Sequence, residues 1–306
     1  MNAAIRSAVR SAVSSGLDVL GVRRGFAGLI DGEMYPVNAR SSGIINTGGT
    51  ILKTARSEEF RSIEGRRKAS ESITKHGIDG LIVIGGDGSY RGADLLDGLR
   101  GLKVAGIPGT IDNDIAGTDY TIGFDTAVNT ALEAIDRLRD TANSHDRLFI
   151  IEVMGRDSGF IGLYSALSGG AEGVLVPEYP PDLDEICAVL EGGRLRGKLS
   201  SILVVAEGDE EGGAFEIAEK IHDRIGYDVR VAILGHILRG GVPTTLDRYM
   251  ATRFGEEAVN LLLKGISGKA VGIDGQKTVF TSLKQAYTEK KHIEENAYRL
   301  VKKLAV

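Results

Sequence analysis

The stretch LIVIGGDGSYRGADLL, residues 81–96, carries four apolar residues into a glycine-rich turn and then into an amphipathic segment. Unbroken apolar residues suit a strand buried on both faces, as in a parallel sheet. The glycines let backbone N–H groups approach a polyphosphate at the start of the following helix. Asp87 inside such a turn does not bind phosphate directly; its usual reason is Mg2+, which takes oxygen ligands and bridges to phosphate. The plainer reading is a tight turn with Asp87 at a helix N-terminus, and this motif alone does not separate the two. The turn lacks the Walker spacing GxxxxGK[ST] and the GxGxxG of dinucleotide folds.

Working outward, short apolar runs recur at 103–107, 148–153, 173–176, 201–206, 229–234 and 270–273. Between them the spacing predicts helices. DTAVNTALEAIDRLRDTA repeats Ala127, Ala131, Leu132, Ile135 and Leu138 on one face, and 59–76, 159–168, 183–196, 214–225, 245–264 and 281–303 read similarly. Alternating strands and helices mean an α/β fold with right-handed crossovers. The 306 residues are long for one domain and comfortable for two.

Composition excludes several classes. The chain is 42% hydrophobic and 26% charged, with a net charge of −5. That balance disfavours nucleic-acid binding, which usually shows as a basic domain. No run approaches the roughly 20 apolar residues of a membrane span. MNAAIRSAVR has no apolar signal core, and Cys187 is the single cysteine, so a reducing cytoplasm is expected. Glycine is the outlier at 42 of 306, about 14% against a norm of about 7%. These glycines punctuate strand ends, as strand-to-helix turns require.

A second strand end carries GIPGTIDNDI, residues 106–115, with Asp112 and Asp114 two apart and so facing the same way in extended backbone. Two close carboxylates are costly without a cation or a task; one can act as base toward a hydroxyl while the other helps hold metal. The alternative is an Asx-rich turn. Arginines gather at further strand ends: Arg147, Arg156, and Arg239 with His236, with Arg230 just before. Guanidinium forks bind phosphate bidentately, although a single surface arginine is ordinarily a solvated charge. Glu207 could accept hydrogen bonds from sugar hydroxyls or cap a turn. Together the inventory suggests phosphoryl transfer from a magnesium nucleotide to a hydroxyl of a phosphorylated acceptor.

GGDGS, PGTIDND, IGFDTA, EVMGR, AEG and GHILRGG occur in an order and spacing that resembles bacterial 6-phosphofructokinase, over essentially all of residues 1–306. The resemblance implies two doubly wound α/β domains with mainly parallel sheets. A nucleotide-binding domain would span 1–123 plus 238–290, and a sugar-phosphate-binding domain 124–237 plus 291–306. It implies Asp112 as the base toward the fructose C1 hydroxyl, Arg156 against the transferring phosphoryl group, and Thr110 positioning it. Asp87 and Asp114 would hold Mg2+. Glu207 and Met154 would meet the sugar, His236 and Arg239 the 6-phosphate, and Arg147 and Arg230 would reach that phosphate from a neighbouring subunit of a homotetramer. Phe26, Arg56, Gly86, Gly88, Ser89 and Gly109 fall where the family contacts ATP. Pyrophosphate-using relatives carry Asp and Lys at the positions of Gly88 and Gly109, so two glycines imply ATP as donor. Arg6, Arg10, Arg139, Glu172, Arg196 and Lys198 sit where the family binds ADP or phosphoenolpyruvate. Asn38 and Leu199 replace basic residues there, which implies weakened or altered allostery.

The resemblance departs at the front. Family members open with a strand and a GGDAPG turn before MNAAIR, so open strand edges are expected here, with weak ATP binding or poor folding. NAAIRSAVRSAVSSG is itself a good helix, with apolar Ala3, Ile5, Ala8, Val9 and Val13. Two alternatives stand beside the ATP-dependent enzyme: a pyrophosphate-dependent relative, and a non-catalytic subunit that binds sugar phosphate.

Overall fold

The computed structural model of the chain describes residues 1–38, 41–142, 147–180, 182–198, 200–208 and 213–305. In chain order the elements are α1 (Asn2–Ser14), β1 (Leu20–Val22), α2 (Gly25–Asp31), β2 (Met34–Pro36), α3 (Glu58–Arg61), α4 (Ile63–Lys75), β3 (Gly80–Gly85), α5 (Asp87–Leu96), β4 (Lys103–Pro108), α6 (Phe124–Ala142), β5 (Leu148–Val153), α7 (Phe160–Gly169) and β6 (Gly173–Leu175). They continue with α8 (Leu183–Leu195), β7 (Ser201–Ala206), α9 (Ala214–Ile225), β8 (Val229–Ile233), α10 (Thr245–Leu263), β9 (Lys269–Asp274), β10 (Lys277–Ser282), α11 (Leu283–Thr288) and α12 (Glu295–Leu304). The chain forms two compact units. One comprises Met1–Thr110, Asp114–Gly123 and Val242–Lys291; the other comprises Ile111–Asn113, Phe124–Gly241 and His292–Val306.

In the first unit the sheet order is β10-β9-β4-β3. β3 runs parallel to β4 in the register Leu81↔Val104, Val83↔Gly106 and Gly85↔Pro108. β4 shows why its sequence is apolar throughout. Val104 packs with Tyr90, Leu96 and Leu283 on the face of α5 and α11, while Ala105 and Ile107 pack with Ala3, Ala4, Phe254 and Ala258 on the face of α1 and α10. Gly106 is obligatory, since a Cβ there would lie 2.7 Å from Leu283 and 2.8 Å from the Tyr90 ring. β3 pairs with β4 alone among the described residues and leaves its other edge open, with Leu81–Ile84 only half-buried. α1 buries Ala3, Ala4, Ile5, Val9 and Ala12. At its start, buried Asn2 donates to Thr47 O and Gly48 O and accepts from the Ile51 N–H, pinning that loop.

In the second unit the order is β6-β7-β5-β8, all parallel. Leu148, Ile150, Leu203 and Val205 face α8 and α9 with Cys187, Leu190 and Ile217. The alternate residues Phe149, Ile151, Val153, Ile202 and Val204 are buried as well. Two-sided burial is the physical reason for the unbroken apolar runs.

Two expected helices are corrected. Residues 281–303 are not one helix: Lys277–Ser282 is a strand antiparallel to β9, followed by two short helices. Thr278, Val279, Phe280 and Thr281 are β-branched or aromatic, and this preference prevails up to the Ser282 cap, whose side chain accepts from Gln285 N–H. Residues 59–76 divide at Ser62, whose extended backbone ends α3 and whose hydroxyl caps α4 by accepting from Gly65 N–H at 2.9 Å. The β1–β2 hairpin, of three-residue strands, falls below any periodic signal.

Candidate active site

The turn after β3 begins α5 at Asp87, with Gly86 as N-cap and no side-chain cap. Here the glycines have specific reasons. A Cβ on Gly85 would meet Ser89 Oγ at 2.3 Å, whereas one on Gly88 would meet nothing within 4 Å. The turn after β4 lies against this one: Gly109 N–H donates to Gly85 O at 3.0 Å, and a Cβ on Gly86 would touch Thr110 Cβ at 3.4 Å. Thr110 is tied down through its carbonyl, which accepts from Thr121 Oγ1 at 2.6 Å. The first unit thus brings together Gly86, Asp87, Gly88, Ser89, Gly109 and Thr110, with Asp114 half-buried on the same segment as Thr121. The Asp87 side chain is 52% exposed. Two carboxylates suit Mg2+, which binds largely through phosphate oxygens and water rather than an all-protein cage. The described residues contain no group of three or more His, Cys, Asp or Glu fit to hold a metal ion. Arg56 is exposed. Phe26 stacks on Phe60, with centroids 4.2 Å apart, and covers Gly92, so packing alone accounts for it.

In the second unit three segments meet. Asp112 is 7% exposed, and its carbonyl accepts from Ser158 Oγ at 2.7 Å. Ser158 N–H donates to Gly155 O, closing the turn after β5 that carries the buried Met154 and the exposed Arg156. Glu207, directly after β7, accepts from Arg156 N–H at 3.1 Å and Gly155 N–H at 3.4 Å through Oε1. Arg156 has φ 55 and Asn113 φ 54. A left-handed residue next to the candidate base, and a second at the candidate arginine itself, are strained backbone of the kind that concentrates at functional sites. Ser158 and Glu178, which accepts Gly159 N–H with both oxygens at 2.8 and 3.1 Å ahead of α7, gave no motif in the sequence.

His236 and Arg239 lie in the 3-10 turn Gly235–Arg239 after β8, both exposed. Arg147 and Arg230 are placed differently. Arg147 precedes β5, and Arg230 pairs in register with Phe149 near the start of β8. The six-residue strand β5 therefore separates Arg147 from Arg156 by roughly 20 Å. Both arginines instead converge on Asp228 Oδ2, Arg147 Nε at 3.1 Å and Arg230 Nη2 at 3.2 Å.

Of the expected effector residues, Arg139 Nη2 donates to Gly169 O and to Gly170 O. Glu172 is buried, pairs with Lys198 Nζ at 2.6 Å and accepts Ile202 N–H. Arg196 follows α8 as its C-cap. Arg6 and Arg10 are on α1, where Arg6 Nε is buried without a hydrogen-bond partner among the described residues. Asn38 is exposed, and Leu199 lies outside the described residues. No helix among the described residues is long and apolar enough to cross a membrane.

Known proteins resemble this chain over its whole length. ATP-dependent 6-phosphofructokinase 1 of Thermus thermophilus is 54% identical over 100% of this chain and 95% of its own. The ATP-dependent 6-phosphofructokinase of Halothermothrix orenii is 49% identical over 100% and 96%. Phosphofructokinase from Saccharomyces cerevisiae superposes with a TM-score of 0.88 at 34% identity, covering 94% of this chain, which spans only 42% of that longer one. A pyrophosphate-dependent phosphofructokinase from Marinobacter aquaeolei shares the fold, with a TM-score of 0.82 at 22% identity over 96% of this chain and 82% of its own. The phosphofructokinase family profile matches residues 1–262, and the chain belongs to that family.

Proposed function

We propose that the chain is an ATP-dependent 6-phosphofructokinase, moving the γ-phosphoryl group of ATP to the C1 hydroxyl of fructose 6-phosphate to give fructose 1,6-bisphosphate and ADP in glycolysis. The carrying observation is identity near one half, over the full chain, with relatives named for that activity. The open space at Gly88 supports ATP over pyrophosphate, because no side chain competes there with the rest of the nucleotide.

In this reading the amides around Gly86–Ser89 receive the donor's phosphates, and Asp87 and Asp114 would hold Mg2+. When bound, the metal neutralises charge on the β- and γ-oxygens. Asp112 accepts the proton of the C1 hydroxyl as the oxygen bonds to phosphorus and the bond to ADP breaks. Arg156 cushions the charge on the transferring group, Thr110 positions it, and Met154 and Glu207 line the sugar. His236 and Arg239 hold the 6-phosphate. The placement of Arg147 and Arg230 at the far end of the same strands favours a second copy of the chain as their recipient, in keeping with the homotetramer that the family resemblance implies. Arg6, Arg10, Arg139, Glu172, Arg196 and Lys198 form the effector set. The Glu172–Lys198 pair and the Arg139 contacts engage three of them within the chain, in keeping with weakened response to ADP or phosphoenolpyruvate.

A coupled assay with fructose 6-phosphate and MgATP or magnesium pyrophosphate tests the reading. Turnover is expected with MgATP, and Asp112→Ser should reduce kcat by about 10²–10⁴ while sugar-phosphate binding persists. Turnover with pyrophosphate alone refutes the donor assignment. Absence of turnover in the unaltered protein favours the non-catalytic subunit.

A further inference from the structure

Arg91 lies one helical turn beyond Asp87 on α5 and on the same face. Its Nε is 3.9 Å from Asp87 Oδ2, and the two side chains remain 58% and 52% exposed. Exposed arginines usually have no fixed orientation, but this one does. Its guanidinium carbon sits 4.8 Å from the centroid of the Tyr287 ring on α11, and Nη2 donates to Tyr287 O at 3.4 Å. Tyr287 is anchored in turn by its hydroxyl, which donates to Asp94 Oδ2 at 2.9 Å. The 3.9 Å approach to Asp87 is too long for a hydrogen bond. The guanidinium is thus preorganised beside the carboxylate without being consumed by it, and Nε and Nη1 donate to nothing among the described residues.

We propose that Arg91 is a nucleotide-contacting residue. It balances Asp87 in the free protein, and presents its unused donors to the donor's polyphosphate when Asp87 turns to the metal. A triphosphate brings more negative charge than one divalent cation neutralises, and Gly88 places no side chain in the turn. Stacking on Tyr287 keeps the plane of the guanidinium fixed, so little side-chain freedom is lost on contact. The inference rests on the reading that the 86–89 turn and Asp87 receive the metal nucleotide.

The test uses the full chain with Arg91→Met, Arg91→Lys and, as a control on the site itself, Asp87→Asn. Two readouts are taken: KM and kcat for MgATP in the coupled assay, and calorimetric binding of ADP in EDTA. Arg91→Met is expected to raise KM for MgATP about three- to fivefold, the size of an exposed charge contact, with the change carried by KM rather than kcat. ADP binding without metal should weaken at least as much, its dependence on salt should become shallower, and Arg91→Lys should recover part of both. If Arg91→Met changes neither readout while Asp87→Asn raises the Mg2+ requirement, Arg91 is a surface ion pair and the inference fails alone. A fall in kcat together with a lowered melting temperature makes the role structural and also overturns it. If Asp87→Asn alters neither the Mg2+ requirement nor nucleotide binding, the site reading fails, and this inference with it.

Discussion

Arg156 offers a substitution in which stability and activity should move apart. Its backbone holds φ 55, and a residue with a Cβ in the left-handed region costs roughly 1–2 kcal/mol. Glycine at this position releases that strain, against about 0.5–1 kcal/mol of extra freedom in the unfolded chain. The Arg156 N–H donates to Glu207 Oε1 at 3.1 Å, a backbone bond that glycine keeps. Arg156→Gly should therefore be as stable as the natural protein, or more so by about 1 kcal/mol. Removing the cation proposed to face the transferring group should meanwhile lower kcat by about 10²–10³. Arg156→Ala separates the two effects, with the same loss of rate and a stability below that of the glycine variant by about 1 kcal/mol. Urea unfolding and the coupled assay measure both quantities. A glycine variant less stable than the natural protein by more than about 1 kcal/mol would refute the strain argument. A variant retaining rate within tenfold would refute the role of the guanidinium.

Three further outcomes are expected. Gly88→Asp enters open space and should leave the melting temperature unchanged while raising KM for MgATP about ten- to thirtyfold by charge repulsion; Gly109→Lys, pressed 3.0 Å from Ile84 Cγ2, should lose stability as well. Tyr90 is fully buried and its hydroxyl has no hydrogen-bond partner among the described residues, so Tyr90→Phe should raise the urea midpoint by the equivalent of about 1 kcal/mol; an unchanged or lower midpoint counts against it. Burial pulls the Lys291 ammonium, which donates to Asp119 O at 2.6 Å, from its usual 10.5 down to about 8. The unfolded chain binds the extra proton between those values, so stability in EDTA should rise with pH from 8 to 10.5 by about 3 kcal/mol, a rise that Lys291→Met should lack.

The parallel strands were legible because burial on both faces leaves an uninterrupted apolar run: 148–153 and 201–206 coincide with β5 and β7. Residues 281–303 misled because helical spacing in a polar segment does not reveal that Ser282 caps a new helix or that Val279 and Phe280 pair with β9. At the candidate site, strand ends marked Asp87, Asp112, Arg156 and Glu207. Ser158, Glu178, Arg91 and Asp228 passed unnoticed because each acts through a partner distant in the sequence or through ring stacking, which no local pattern encodes. Arg147 and Arg230 read as members of one strand-end set, yet the direction of the strands puts them at the opposite ends of those strands.

The chain passes from one compact unit to the other after residues 110, 113, 123, 241 and 291. No contiguous stretch of gene therefore encodes either half, and neither can be exchanged between relatives by a single recombination event. During synthesis the first unit waits for β9, β10 and α11, and the second for α12, which closes over β6 and α7. Neither unit can complete its contacts before residues 269–304 have been made.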